Sequence, residues 1–187
     1  PLGTMTPVVT NGGATIELTG TPAEINAALA SLTATPTADT NGGLRLEVNV
    51  TDNGNFGAGG AQTAAATIAI DVTAVNDAPV ISGLPATTPS IDEDDATGVT
   101  INTITIADID EGETPGAQMT VTLSAGNGAI TLNDTTGLTV SNNGSGAVTI
   151  AGPLAAINAA LPSAAGFTYV PATDFAGAET ITVAVDD

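Results

Sequence analysis

One ten-residue phrase occurs twice in this chain. Gly20-Thr-Pro-Ala-Glu-Ile-Asn-Ala-Ala-Leu29 and Gly152-Pro-Leu-Ala-Ala-Ile-Asn-Ala-Ala-Leu161 agree at seven of ten positions, 132 residues apart. Further on, Pro36, Asp39, Gly42, Val48, Val50 and Asp52 match Pro171, Asp174, Gly177, Val183, Val185 and Asp187 at a spacing of 135, so the second copy carries three extra residues. Repetition on this scale means a modular array. The 187 residues then hold one full period and part of another. The first copy lacks a counterpart of residues 78–133, and the second stops before a counterpart of 62–74. The expected frame is a piece of a longer array: 6–77 as the C-terminal part of one repeat and 78–187 as the next, without its last strand. Pro1-Leu-Gly-Thr-Met5 reads as a cleavage and cloning remnant outside the fold.

Each copy of the phrase reads as a short helix. Thr21 is a candidate N-cap, Pro22 takes the first helical position and Glu24 completes a capping box. Asn26 and Asn158 sit inside these helices, where Asn is a poor former, so their side chains are expected to bond a neighbouring strand or loop. Period-two alternation marks strands at 15–18, 44–50, 62–74, 99–106, 119–123, 129–132, 147–150, 167–170 and 179–185. Leu44, Leu46, Val48 and Val50 are expected to face inward. Between 62–74 and Val80, Asn76-Asp77-Ala78-Pro79 supplies turn chemistry and a missing backbone donor, which suits a handover between domains. Asp77 stands at that joint, where a carboxylate could bridge two domains through a metal or simply cap an acidic turn.

Composition narrows the core. There is no Trp, one Tyr (Tyr169) and three Phe (Phe56, Phe167, Phe175), so Ala, Val, Ile, Leu and Thr must fill it. Small β-branched residues suit thin sheet-on-sheet packing, and an all-β fold is expected. Twenty acidic residues face one basic residue, Arg45, for a net charge of −19. Self-repulsion of that size opposes compaction and makes nucleic acid and anionic membrane poor partners. Salt bridges cannot offset it with a single cationic side chain, and disulfides cannot because there is no Cys. Hard cations with oxygen ligands, calcium above all, fit the available side chains, whereas zinc and copper do not. Eight acidic residues crowd between Asp92 and Glu113. If 92–95 were a strand, Glu93 and Asp95 would share one side and Asp92 and Asp94 the other. Such a run either splays into solvent or encloses metal.

Ala74-Val-Asn-Asp-Ala-Pro-Val80, Ile91-Asp-Glu-Asp94, Ala107-Asp-Ile-Asp110, Gly152 to Leu161 and Asp174-Phe-Ala-Gly-Ala-Glu-Thr180 resemble the cadherin-like tandem repeats of giant bacterial surface proteins, including RTX-type adhesins exported by type I secretion. The resemblance implies cadherin-like or Ig-like β-sandwich repeats in tandem, each with one short inserted helix. It also implies calcium at the junctions, held by Asp77 of the linker, Glu93 of the early strand and the Asp108/Asp110 pair, with Asn76 and Asp94 beside them. Two departures from the pattern stand out: Ala74 occupies a position where Asp is expected, and no Gly-Gly-x-Gly-x-Asp nonapeptide is present.

Other chemistries lack their residues. Asp108 to Met119 fails as an EF-hand because Glu113 stands at the sixth position and Met119 at the twelfth. Asn53 to Gly60 is glycine-rich but has no Lys and opens no helix, which makes it a hairpin connection rather than a phosphate loop. Without His, Cys or Lys, acid–base catalysis would rest on carboxylates and Tyr169 alone, so no enzyme is expected. The expected role is a calcium-stabilised extender module of a secreted, extracellular bacterial adhesin, serving cell-surface adhesion or biofilm formation. The alternative is a carbohydrate- or protein-binding module. Expected partners are neighbouring repeats and, through open strand edges, other copies: 62–74 would pair with 179–185, or with 44–50 of a second molecule.

Overall fold

The computed structural model describes residues 8–10, 15–55, 57–114, 116–164 and 166–187, with side chains from Thr15 onward. Phe56 and residues 1–7 lie outside the described set. The fold is all-β, with two short helices among the described residues, and the chain divides into two compact units, Pro1–Thr73 and Ala74–Asp187. Among the described residues no helix is long and apolar enough to cross a membrane.

The first unit opens with β1 (Val8–Thr10) antiparallel to β2 (Thr15–Glu17). Helix α1 (Pro22–Leu29) follows, with the capping box in place: Thr21 N–H donates to Glu24 Oε2 at 2.8 Å and Glu24 N–H to Thr21 Oγ1 at 3.4 Å. Strands β3 (Gly42–Thr51) and β4 (Thr63–Val72) then form a ten-pair antiparallel ladder, from Gly42↔Val72 to Thr51↔Thr63. Asp52 sets the turn between them, its Oδ1 accepting Gly54 N–H at 2.9 Å and Gln62 N–H at 2.8 Å. Those donors hold the Asp52 carboxyl below its ordinary pKa. The β4 segment therefore pairs with β3 within its own hairpin. No described residue of this unit is buried. Leu46 and Val48 are half-buried, but Leu44 and Val50 stay 37% and 48% exposed, because among the described residues of the unit no element forms a layer over that face.

The second unit holds the core. Its strands are β5 (Val80–Ser82), β6 (Val99–Ile101), β7 (Thr105–Ala107), β8 (Met119–Ser124), β9 (Gly128–Leu132), β10 (Thr139–Ser141), β11 (Ala147–Gly152), β12 (Phe167–Pro171) and β13 (Thr182–Asp186), with α2 (Leu154–Ala160) between β11 and β12. They form a four-stranded sheet β10-β11-β8-β13, a three-stranded sheet β6-β12-β9 and the pair β5-β7, antiparallel throughout. Alternation is cleanest in β8, where Met119, Val121 and Leu123 are buried and the Thr and Ser between them are not. These pack with Ile130, Ile150, Ile157, Leu161 and Phe167 in one cluster. Asn158 ties the helix to the sheet: its Nδ2 donates to Ile106 O at 2.7 Å and its Oδ1 accepts Ile106 N–H at 2.9 Å.

Three expected elements differ. The 99–106 segment is two strands, because Val99 and Ile101 face the core on odd positions and Ile104 and Ile106 on even ones. The break at 102–104 reverses that parity and lets β6 join β12 while β7 joins β5. Next to it, Gly83 at φ 72 lies so close that an added Cβ would meet Thr103 O at 1.9 Å. The last strand starts at Thr182 and not at Glu179, whose carboxylate instead accepts Gly126 N–H at 3.0 Å and Asn127 N–H at 2.7 Å. Residues 92–95 are a turn, with Asp95 N–H donating to Asp92 O at 3.3 Å, so the alternation expected of a strand does not apply there.

Candidate metal centre

Where β7 ends, the chain turns sharply through Asp108-Ile-Asp-Glu-Gly112. Asp108 drives the turn, its Oδ1 accepting Asp110 N–H at 2.8 Å in the manner of an Asx-turn. Asp110 in turn accepts Asp77 N–H on Oδ2 at 2.6 Å. The residue before it, Asn76, donates Nδ2 to Asp187 Oδ2 at 2.7 Å, just past the end of β13. Three separate stretches of the unit, at 76–77, 108–110 and 187, are thus tied together by polar groups alone.

They line a cavity of about 500 Å³, with Glu111 and Glu113 also on its wall and Met119 and Leu154 as apolar floor. Every ionisable side chain on the wall is a carboxylate. Two of the polar groups are committed as acceptors to backbone N–H, which neutralises little of the charge. The other Asp108 oxygen, Oδ2, is buried and has no hydrogen-bond partner. A buried carboxylate oxygen without a donor costs on the order of 1–3 kcal/mol or more, so this atom is chemically incomplete. An oxygen-seeking cation would complete it, and the donor set of carboxylates and the Asn76 amide fits a hard divalent ion. Among the described residues, however, no three acidic side chains are gathered tightly enough to hold a metal by themselves.

Of the residues singled out in the sequence, Asn76, Asp108 and Asp110 therefore meet at one place, and Asp77 reaches it through its backbone N–H. Glu93 and Asp94 do not line this cavity. Asp94 has φ 63 and spends Oδ1 on Asp174 N–H at 3.0 Å, fastening a turn of the other loop. Glu111 and Glu113 were expected only as members of the acidic run, and Asp187 was not expected in the site, although the repeat held a hint. Asp187 is the counterpart of Asp52, the residue that organises the β3–β4 turn. A side chain with that ordering role in one copy is a candidate for a similar role in the other.

Comparisons of the chain with family models, curated proteins and solved structures return no match.

Proposed function

We propose that this chain holds parts of two consecutive cadherin-like repeats, of sandwich type, from the extender of a secreted bacterial adhesin, stiffened by calcium and serving adhesion or biofilm formation outside the cell. The observation that carries the calcium reading is Asp108 Oδ2, buried and unpartnered beside a cavity whose ionisable side chains are all carboxylates. Asp108, Asp110, Asn76 and Asp187 would hold the ion, with Glu111 at the rim. Calcium would supply the positive charge that a unit without Lys, Arg or His cannot supply from its own side chains. The chain's own part is orientation. Asp108 shapes the 108–112 turn, Asp110 anchors the entering chain at Asp77, and Asn76 binds Asp187 at the end of β13. Tightening these three ties would fix the entry segment to the sheet, which is what a rod-like spacer requires. The internal repeat supports the spacer reading, since arrays use copies for length.

Calcium should raise the melting temperature of the chain, with about 2.7 kcal/mol gained at 100 times the dissociation constant. Asp108→Asn keeps the acceptor for Asp110 N–H but removes the charge, so it should abolish calorimetrically detected calcium binding. Asp134→Asn, away from the cavity, should leave it intact. Identical melting curves in calcium and in excess chelator at low salt would overturn the reading.

A further inference from the structure

The chain carries five Asn-Gly pairs, beginning at Asn11, Asn41, Asn53, Asn127 and Asn143. In such a pair the glycine nitrogen can attack the asparagine side-chain carbonyl carbon, because no Cβ shields its approach. That nitrogen must first lose its proton, and the charge then rests largely on the asparagine backbone carbonyl oxygen. Two features of the fold therefore decide which pair reacts: whether the glycine N–H already has an acceptor, and whether that oxygen has donors ready for the charge. Asn11 lies outside the described residues, and the other four pairs can be compared.

Three of the four hold the nitrogen back. Gly144 N–H donates to Ile130 O at 2.8 Å. The Asn143 side chain is tied to Leu132 at both ends, its Oδ1 accepting Leu132 N–H at 2.7 Å and its Nδ2 donating to Leu132 O at 3.0 Å. Gly54 N–H donates to Asp52 Oδ1 at 2.9 Å, and a carboxylate beside an N–H opposes its ionisation. Asp52 N–H donates to Gln62 O at 3.1 Å, so by the alternation of an antiparallel ladder Gly42 also points its N–H at β4.

Asn127-Gly128 is the opposite case. It lies in the connection from β8 to β9, with Asn127 exposed. Asn133 N–H donates to Gly166 O at 3.1 Å and Ala172 N–H to Asn127 O at 3.2 Å, so odd positions from 127 to 133 address β12 and Gly128 turns its N–H away from it. Among the described residues no acceptor meets that N–H. The Asn127 carbonyl oxygen takes two donors, Ala172 N–H and the Tyr169 hydroxyl, the latter at 2.5 Å. Burial, and then the Glu179 carboxylate, hold the Tyr169 hydroxyl above its ordinary pKa, so it remains a donor in alkaline solution. Glycine is required at 128, since an added Cβ would run into Val170 O and the Tyr169 ring.

We infer that Asn127 is a site of spontaneous deamidation through a succinimide, set ahead of the other described Asn-Gly pairs by the fold. Gly128 N bonds to Asn127 Cγ, the Cγ–Nδ2 bond breaks, and the proton given up by Gly128 leaves with that nitrogen as ammonia. Water then opens the ring at either carbonyl to give aspartate or isoaspartate, with no oxidation or reduction. Either product places a carboxylate beside Glu179, whose Oε2 accepts Asn127 N–H at 2.7 Å. Isoaspartate also lengthens the backbone where Asn127 O meets Tyr169 and Ala172. Conversion should therefore loosen the connection from β8 to β9.

The test is incubation of the full chain at mildly alkaline pH, with each pair followed by peptide mass and by isoaspartate-specific methylation. Asn127 should convert before Asn41, Asn53 and Asn143. In denaturant, where all four pairs lose their partners, the rates should converge. Tyr169→Phe keeps the ring but removes one donor to the Asn127 oxygen, so conversion there should slow about tenfold. A hydroxyl that merely pinned the loop would have the opposite effect, and its removal would speed conversion. Conversion of Asn41, Asn53 or Asn143 ahead of Asn127 in the folded parent overturns the inference. So does a folded Tyr169→Phe variant that converts Asn127 as fast as the parent or faster. Should that variant unfold, the order of conversion in the parent and its loss in denaturant decide.

Discussion

Leu32-Thr-Ala-Thr-Pro36 and Phe167-Thr-Tyr-Val-Pro171 hold the same place in the two copies of the repeat, directly after the helix. The second is strand β12, laid between β6 and β9, with Phe167 fully buried. The first is in no sheet, and Leu32 is 40% exposed. The helices part in the same way. Ile157 is buried and Asn158 clamps Ile106, whereas Ile25 is half-buried and Asn26 is exposed, with no side-chain bond to a strand among the described residues. Capping runs in reverse: α1 has a complete capping box, and α2 starts at Pro153 with no side-chain cap. A helix packed on a core can do without a cap, whereas one without a core leans on local bonds. What both copies share is local. Asp39 and Asp174 have φ 58 and 59, and the turns around them close through Thr40 N–H to Thr37 O at 3.3 Å and Phe175 N–H to Ala172 O at 3.1 Å.

The contrast breaks most visibly at the paired apolar positions. Phe167→Ala should destabilise unit 2 by about 3–5 kcal/mol, and Ile157→Ala by about 2–5 kcal/mol, through lost transfer energy and the cavity left behind. Leu32→Ala and Ile25→Ala, at the matching places, should cost less than about 1 kcal/mol in denaturant unfolding. Equal costs across either pair would mean that unit 1 has a core of its own in solution.

The paired asparagines sharpen the contrast through sign. Asn158→Ala strands both backbone groups of Ile106 in a partly buried setting and should cost about 1–3 kcal/mol. Asn26→Ala loses no side-chain bond and gains helix propensity, a stabilisation of up to about 0.7 kcal/mol, readable as slower amide exchange in α1. Destabilisation by both would place a hidden strand against α1.

The smallest effect is one of pH. Glu179 is held below its ordinary value of 4.5, chiefly by the Gly126 N–H it accepts. Its contribution to unit 2 is therefore present above that ordinary value and lost as pH falls through the lowered one. Glu179→Gln should flatten this part of the acid unfolding curve, while the Asp52 contribution to unit 1 remains. An unchanged acid limb would show that the Gly126–Asn127 loop needs no carboxylate.

Sequence by itself determined whatever is settled within a few residues or by repetition. Thr21 and Glu24 made the capping box legible, 119–123 alternates openly, and the matched phrases gave the repeat frame, because caps, strand period and turn chemistry act over one to ten positions. Asn158 was legible as a residue in need of a partner, but not that the partner is Ile106, 52 residues away. Tertiary structure alone decided which strands find partners: 99–106 splits to serve two sheets, and 167–170, legible as a strand, finds β6 and β9 on its two sides. It also decided that Asp187 joins Asn76 at the acidic cavity while Glu93 and Asp94 do not line it. Burial and pairing depend on what lies across the gap, and two segments with one pattern diverge when only one of them has a neighbour there.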